Sequence, residues 1–279
     1  MKKTFDDVSN DCSKIVTKTY STSFSLATKM LSKSIRQHIY NIYGFVRFAD
    51  EIVDSFHDYD KIMLFKEFSD DLEKSLKNKI HLNPILNSFQ STYHQFNIDK
   101  DLVDSFMGSM EKDLHKKKYM TEKEYEDYIY GSADVVGLMC LKVFVDGDVE
   151  KYEELKPSAM RLGSAFQKVN FLRDLKDDFE NLDRSYFPNT DLNKLNEESK
   201  IKIINEIEAD FKEGLNGIKK LPIEAKFGVF MAYRYYSQLL KKLKKTPALD
   251  IKNTRIRVPN YKKFELLTRS YVKYQLNLL

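Results

Sequence analysis

The sequence predicts an all-α protein, and three observations lead to that prediction. Apolar residues recur at three- to four-residue intervals over long stretches, as they do on one face of an α-helix. No stretch of five or more residues alternates cleanly between apolar and polar with β-branched enrichment, the pattern of a half-buried strand. Six prolines occur in 279 residues, and each falls where a helical pattern stops. We expect eight to ten helices in one domain, residues 1–279.

The strongest helical patterns can be placed in chain order. Isoleucine and valine at helical spacing predict a helix over about 34–56, with Ser34 as its N-cap. Thr121, followed by two glutamates, marks the start of a helix over about 122–146. That segment becomes apolar nearly all round, as a central buried helix does. Further helices are expected over 155–182, 199–220 and, after Pro222, 223–245.

Composition excludes several classes of protein. Hydrophobic residues make up 42% and aromatic residues 13%, so the chain is neither disordered nor fibrous. The formal net charge of +4 is too mild to indicate nucleic acid by itself. The basic residues are uneven, however, because residues 241–263 hold nine Lys or Arg and one acid, Asp250.

Cysteine usage and the apolar runs indicate a soluble cytoplasmic protein. Cys12 and Cys140 have no close partner and no metal-ligand spacing, which favours a reducing compartment. The N-terminus carries acids where a signal peptide needs an apolar stretch. The longest apolar run is interrupted by charges and falls short of a membrane span.

Two short stretches place pairs of aspartates four residues apart beside an arginine. Asp50 and Asp54 follow Arg47, and Asp174 and Asp178 follow Arg173. At ~100° of rotation per helical residue, each pair lies on one helix face. Gln167 and Asn170 fall on the face of the second pair, within ~80°, and Asp177 flanks it.

Oxygen ligands of this kind favour Mg²⁺, which keeps waters and bridges to substrate phosphates. Two such faces across a cavity would hold Mg²⁺ ions around a diphosphate, with Arg47 and Arg173 contacting phosphate oxygens. The competing interpretation is a pair of solvated helix faces neutralised by lysines. Apolar residues surround both pairs, and burying unneutralised charges is costly, so we favour the functional interpretation.

Four motifs, in order, resemble the squalene and phytoene synthase family. They are Tyr20–Ala27 followed by Ile39–Asp54, the tyrosine motif Tyr128–Gly137, the second acidic signature Gln167–Asp178, and its ending Arg184–Pro188. The resemblance spans residues 20 to 240. It departs from the family pattern at Asp134, where a small residue is usual, and between Asp178 and Tyr186, which is one residue longer than in some relatives.

The resemblance implies a helical isoprenoid synthase fold around a central cavity and a head-to-head joining of two prenyl diphosphates. Asp50, Asp54, Asn170, Asp174 and Asp178 would bind Mg²⁺, with Mn²⁺ as an alternative ion. The residues that would contact substrate are Ser21, Ser23, Arg47, Gln167, Asn170, Arg173, Tyr186, Tyr235, Arg255 and Arg257. Tyr128 would face the reacting carbons as a proton relay or a cation stabiliser.

Chain length and cofactor stay open at this point. Two C20 substrates would give phytoene, which the tyrosine motif and the short C-terminus favour, and two C15 substrates would give squalene or dehydrosqualene. NADPH is expected only if the product is squalene. The alternatives are a head-to-tail prenyltransferase, a terpene cyclase, or a non-catalytic basic module that binds a membrane or nucleic acid through 241–263. For the enzyme we expect no nucleic-acid partner, and peripheral contact with the inner face of the cell membrane is compatible with an apolar product. The sequence does not set the oligomeric state.

Overall fold

The chain folds as a succession of helices, as seen in a computed structural model that describes residues 1–116, 118–182, 184–188, 190, 193 and 195–276. Those residues form no strand, and their one backbone bridge joins Lys118 to Ser185. The all-α class is therefore confirmed. The helices are α1 Lys2–Tyr20, α2 Thr22–Thr28, α3 Lys33–Ser55, α4 Lys61–Asn78, α5 Pro84–Gln95, α6 Lys100–Asp113, α7 Glu122–Ile129, α8 Val135–Val145, α9 Val149–Leu182, α10 Glu197–Lys220, α11 Ile223–Lys245, α12 Ala248–Ile251 and α13 Asn260–Gln275, with a π-helical segment Tyr130–Asp134 between α7 and α8.

Three expectations about these helices were wrong. The described residues form thirteen α-helices, more than eight to ten, because helices as short as α2 and α12 are too brief to show a period. Helix α3 begins at Lys33, so its N-cap is Ser32 and not Ser34. Helix α9 begins at Val149 and runs through Pro157, where a stop was expected. One proline removes one hydrogen bond, and a helix packed along its length against α8 and α10 tolerates that loss.

The central segment 122–145 begins with a capped helix N-terminus and contains a π-helical segment in its middle. The Thr121 side chain accepts from the Glu124 backbone N–H, and the Glu124 side chain reaches back, which forms a capping box. At Gly131 in the π-helical segment, a Cβ atom would lie 1.9 Å from Ser109 Oγ of α6, so only glycine allows this close approach. Glu122–Val145 is the one stretch of the described chain long and apolar enough to cross a membrane, but 56% of its apolar window is buried, as in a core helix.

The core lies between α3, α5, α6, α8 and α9. Phe45 of α3 is fully buried and stacks on Phe89 of α5 at 4.0 Å between ring centroids. Phe106 of α6 packs edge-on against the Phe45 ring, at 5.5 Å between ring centroids. Burying an aromatic side chain of this size stabilises the fold by roughly 2–3 kcal/mol. The centre of α3 is thus held rigidly, which fixes the direction in which its C-terminal acids point.

Asp134 ties the π-helical segment to α9. Its side chain accepts a hydrogen bond from Ser164 Oγ at 2.7 Å, and only 6% of the residue is exposed. Burial is the main cause that raises the pKa of Asp134 to about 7, while the Ser164 hydrogen bond and the Lys168 ammonium oppose the shift. The departure from the family pattern noted at this position is therefore a buried, hydrogen-bonded carboxyl group that bridges two helices.

We expect Asp134→Asn to flatten the pH dependence of stability. Between about pH 4, where the unfolded carboxyl ionises, and about 7, the native protein keeps a proton that the unfolded chain has lost. Rising pH therefore lowers the free energy of unfolding through this group, by about 4 kcal/mol in total between pH 4 and pH 8. The amide keeps an acceptor for Ser164 and has no such titration.

Urea unfolding of both proteins at pH 5 and pH 8 measures this difference. The exposed Asp104→Asn variant is the matched control and should keep the slope of the unchanged protein. Equal slopes for Asp134→Asn and the unchanged protein would contradict the assigned role of this carboxyl.

Candidate active site

The first acidic pair lies near the C-terminal end of α3. Arg47 Nη1 donates to Asp50 Oδ2 at 2.6 Å, and the same guanidinium pairs with Glu51. Its carbon Cζ lies 4.4 Å from the centroid of the Tyr20 ring, a cation–π contact. Partial burial and repulsion by Asp54 raise the pKa of Asp50, which Arg47 opposes. Arg47 is thus the neutralising cation for Asp50 and Glu51.

The second acidic pair lies in the last turns of α9. Arg173 Nε donates to Asp174 Oδ1 at 2.9 Å. Arg255, from the segment before α13, contacts the same carboxylate, with its Nε 2.8 Å from Asp174 Oδ1. Its Nη1 also lies 3.8 Å from Asp177 Oδ2. The structure therefore brings Arg255 to the second pair. Arg257 is exposed, and its backbone carbonyl accepts from Lys242 Nζ at 2.8 Å.

The two acidic pairs belong to one site. Burial first, and then repulsion by Asp174 and by Asp54 of the other helix, raise the pKa of Asp178 to about 8. The backbone N–H of Arg184 donates to the Asp178 carbonyl oxygen at 2.9 Å, and its guanidinium contacts Asp54, so the C-terminal ends of α3 and α9 lie close together. Neighbouring arginines only partly compensate this accumulation of negative charge. The site is therefore suited to bind cations.

A buried arginine joins the first pair to a third acid that the sequence interpretation missed. Arg184 Nη1 lies 2.5 Å from Asp54 Oδ1, and its Nη2 donates to the backbone carbonyl of Asp113 at 3.0 Å. Nη1 also lies 3.9 Å from Asp113 Oδ2, and both Arg184 and Asp113 are more than nine-tenths buried. Arg184 therefore connects α3, the end of α6 and the segment after α9.

This third acid, Asp113, orients Tyr128. Tyr128 Oη donates to Asp113 Oδ2 at 2.6 Å, and Tyr119 Oη donates to Oδ1 at 3.3 Å. Burial raises the pKa of Asp113 to about 6 and that of Tyr128 well above 10. At neutral pH the carboxyl group is therefore ionised and the phenol keeps its proton.

Four aromatic rings stack beside this hydrogen bond. Tyr186 lies 4.0 Å from Phe171 and 5.2 Å from Tyr128 between ring centroids, and Tyr119 lies 4.5 Å from Tyr128. Despite the extra residue before it, Tyr186 is buried and within 3.4 Å of Arg184 Nη1. All four rings are buried, so the stack excludes water from this hydrogen bond.

An apolar cavity of about 300 Å³ continues from the acidic pairs into the helix bundle. Its wall includes one face of α9 from Leu155 to Asn170, and the acids Asp174 and Asp178 continue the same face. This stretch of α9 is ~22 Å long at 1.5 Å per residue. Along α3, the π-helical segment and α8, the lining residues are Ile39, Ile42, Tyr43, Val46, Ser132, Ala133, Val136, Gly137, Cys140, Leu141 and Phe144.

Apolar side chains line the end of the cavity away from the acids. Phe144, Leu155, Ile218 and Leu221 are the lining residues farthest from the acidic end, along α8 and α9 and at the end of α10. Gly163 lets α9 pack closely against the π-helical segment, because a Cβ there would lie 2.9 Å from the carbonyl oxygen of Ala133. The cavity therefore has a polar mouth and an apolar floor.

The remaining sequence candidates are placed as follows. Gln167 and Asn170 line the mouth, as predicted. Ser21 caps α2 by accepting from the Phe24 backbone N–H at 3.3 Å, and Ser23 lies half-buried two residues further on. Tyr235 packs against Ala27 and Met231 outside the lining, and its neighbour Tyr236 lines the cavity instead. Successive residues of a helix point ~100° apart, so the tyrosine that faces the cavity lies one residue later than expected.

The residues present fit the metal that the acidic pairs imply. Asn170 Oδ1 is buried at the cavity mouth and accepts no hydrogen bond. Asp174 and Asp178 follow it at four-residue intervals on the same face of α9, and neighbouring arginines only partly compensate the Asp178 carboxyl, whose pKa is raised by burial and by Asp174. Within the described residues, no group of three or more Asp, Glu, His or Cys is placed to hold a metal ion by itself. One or two carboxylates with an amide oxygen still suit Mg²⁺, which completes its shell with water and substrate oxygens.

Two acid-bearing helix ends at the mouth of a long apolar cavity suit a substrate that carries both a phosphate group and a hydrocarbon chain. A model of the Squalene/phytoene synthase family matches residues 17–262. The chain therefore belongs to the squalene/phytoene synthase family of prenyltransferases.

Two curated relatives illustrate the range of this similarity. A 4,4'-diapophytoene synthase of Staphylococcus haemolyticus (strain JCSC1435) is 29% identical over 197 residues, which is 70% of this chain and 66% of the relative. A phytoene synthase of Arthrospira platensis is 25% identical over 276 residues, covering 90% of this chain and 89% of the relative.

Solved structures share the fold. A dehydrosqualene synthase in complex with a ligand superposes with a TM-score of 0.79 at 21% identity, covering 97% of this chain and 98% of that one. A squalene synthase from Alicyclobacillus acidocaldarius gives 0.73 at 20% identity over 85% and 93%. At these identities the likeness concerns architecture alone.

We expect Arg184→Gln to destabilise the protein strongly. The substitution leaves Asp54 and Asp113 without the cation between them, and breaking a buried ion pair typically costs about 3–5 kcal/mol. Urea unfolding at pH 7 measures the loss. Arg257→Gln, at an exposed position, is the matched control and should stay within about 0.5 kcal/mol. A loss below about 1 kcal/mol for Arg184→Gln would show that the site does not depend on this arginine.

Proposed function

We propose that the protein joins two molecules of geranylgeranyl diphosphate head to head, in the presence of Mg²⁺, to give phytoene through a cyclopropylcarbinyl diphosphate. The observation that carries this proposal is the single face of α9 that runs from two carboxylates into an apolar cavity. Its ~22 Å length suits a C20 chain whose diphosphate sits at the acidic end. Similarity to phytoene synthases over most of the chain supports the same substrate.

The diphosphate end of the reaction relies on acids and arginines in distinct positions. Asp50, Asp54, Asn170, Asp174 and Asp178 would hold Mg²⁺, which when bound neutralises the charge of the leaving diphosphate. Mn²⁺ would suit the same oxygen ligands. The guanidinium groups of Arg47, Arg173 and Arg255 stand beside these acids and can turn to phosphate oxygens.

The carbon chemistry would take place beside the aromatic stack. The C1–O bond of the first substrate breaks with its electron pair leaving on the diphosphate, and the double bond of the second substrate attacks the allylic cation. Loss of a proton then closes the cyclopropane ring. The second diphosphate leaves, the carbon skeleton rearranges, and loss of another proton gives phytoene. Water must stay out throughout, because it would quench each cation.

Tyr128 and Asp113 form a relay that can accept such a proton. The phenol is protonated at neutral pH, since its pKa is raised well above 10, so it can take a proton only while passing its own on. The acceptor is Asp113 Oδ2, 2.6 Å away, in a carboxyl group that is ionised above about pH 6. The relay needs both residues.

Asp50→Ala and Asp174→Ala should each abolish turnover while leaving the fold intact, because each removes a metal ligand from one side of the diphosphate. The measurement is conversion of radiolabelled prenyl diphosphate with Mg²⁺, with circular dichroism to check folding. Asp70→Ala, an exposed acid paired with Lys66 on α4, is the control and should keep full activity. If both site variants kept near-normal rates, the metal-site assignment would be wrong.

Tyr128→Phe and Asp113→Asn should each lower kcat by about 10²-fold or more with little change in KM, as expected for loss of a proton-transfer group. If the two act as one relay, the double variant should be no slower than the slower single variant. Single-turnover kinetics with both variants and the double variant measures this. Multiplicative losses would show that the two residues act separately.

The second candidate is the C15 reaction, favoured by 29% identity to a diapophytoene synthase and by a cavity volume at the low end for ligand sites. An equimolar mixture of farnesyl and geranylgeranyl diphosphates, with mass analysis of the products with and without NADPH, separates the two candidates. A C40 product supports the proposal. A C30 product would reassign the substrate and leave the head-to-head reaction in place, and squalene formed only with NADPH would identify the reductive variant.

Two further alternatives are tested in the same assay. Head-to-tail elongation would require isopentenyl diphosphate, and a terpene cyclase would release a product no longer than one substrate. A non-catalytic role of 241–263 would appear as salt-dependent binding to DNA or RNA without Mg²⁺-dependent chemistry. A cytoplasmic location with peripheral membrane contact stays a prediction.

A further inference from the structure

A second cavity lies on the outer side of the bundle, away from the acidic pairs. Its volume is about 450 Å³, and it lies between α1, the end of α2 and the first turns of α3. The residues that line it are Lys14, Lys18, Lys29, Lys33, Arg36, Gln37 and Tyr40. Five of these seven carry a positive charge and none carries a negative one.

These cations differ from the surface lysines that pair with acids. Lys66, Lys123 and Lys202 each pair with an acid one turn away, at 2.6 to 3.2 Å. In the described part of the chain, the lysines at 18, 29 and 33 have no acid within ion-pair distance. Lys14 has only a loose contact, 3.6 Å from Asp11. Gathering unpaired like charges around one cavity costs free energy unless an anion occupies it.

The floor of this cavity carries an oriented donor without a partner. Tyr40 is 98% buried, since its relative exposure is 2%, and its hydroxyl has no hydrogen-bond partner among the described residues. Burial raises the pKa of this phenol, so the hydroxyl keeps its proton and can donate. Beside it, Arg36 is fixed by hydrogen bonds to the Leu31 carbonyl oxygen, the shorter one 2.7 Å from Nη2.

We propose that this cavity binds a phosphate-bearing anion, either the headgroup of an anionic lipid or free phosphate. Positive side chains from three helices would surround the anion, and Tyr40 Oη would donate to one of its oxygens. Helix α3 begins here at Lys33, so the positive end of its dipole adds to the attraction.

The cavity is separate from the prenyl diphosphate site. Arg36 and Asp54 stand eighteen residues apart on α3, which is ~27 Å of helix. Ile39, next to Tyr40 in the chain, lines the apolar cavity near the end remote from the acids. An occupant of the basic cavity would therefore sit close to the hydrocarbon tails and far from the leaving diphosphates.

The test compares two triple variants of the full chain with equal changes in charge. Lys18→Gln, Lys29→Gln and Lys33→Gln remove cations from the cavity, whereas Lys66→Gln, Lys123→Gln and Lys202→Gln remove paired lysines elsewhere. The apparent affinity for phosphatidylglycerol vesicles, measured by co-sedimentation, should fall roughly 100-fold for the first triple variant. Each lysine near an anionic surface accounts for about tenfold or less. The second triple variant should stay within about threefold of the unchanged protein.

A second arm identifies the source of the phosphate. Calorimetric titration with inorganic phosphate, without Mg²⁺, is carried out on the unchanged protein, both triple variants and Tyr40→Phe. Binding to vesicles alone assigns a lipid headgroup, and a phosphate-binding heat that Tyr40→Phe and the cavity variant lose assigns a free anion. Turnover in detergent should be unchanged in all variants.

The proposal is overturned if the two triple variants behave alike in both arms, since the cavity would then act as ordinary positive surface. Equal binding of the unchanged protein to phosphatidylglycerol and to neutral phosphatidylcholine vesicles, with no phosphate-binding heat, would overturn it as well.

Discussion

The site depends on one buried arginine. Arg184 stands between Asp54 and Asp113, which would otherwise face each other at low exposure without a cation between them. Its contacts join the end of α3, the end of α6 and the segment after α9, so one guanidinium defines how three parts of the chain meet. The aromatic stack and the Tyr128 hydroxyl take their positions from the same junction. Catalytic geometry and stability are therefore carried by the same group.

Much of the site could be predicted because it is local in sequence. A spacing of four residues places two carboxylates on one helix face whatever the rest of the fold does. The arginines beside the acids lie within the same turn, and the Thr121 capping box is equally local. Features of this kind depend on helix geometry alone, and the structure places them as expected.

Other features depended on contacts between distant residues. Arg184 and Asp54 lie 130 residues apart, and no spacing rule connects them. Asp113 is detectable from the sequence pattern, because it follows Leu102, Phe106 and Ser109 on the buried face of α6, where an acid is unusual. The cavity is lined by Tyr236 and not by Tyr235. A family resemblance can therefore identify the right helix and still miss which of two adjacent residues faces the cavity.

Helix α9 carries two kinds of constraint on one face. From Asn170 onward its residues are constrained by charge and by the geometry of ligand binding. Towards Leu155 they are constrained only by the volume of the cavity. Because some fifteen residues separate the two regions, a change of size near the floor need not disturb the acids. The length of the accepted hydrocarbon and the ability to react can then diverge independently. A lineage could acquire a new product length by a few substitutions at one end of a helix whose other end stays unchanged.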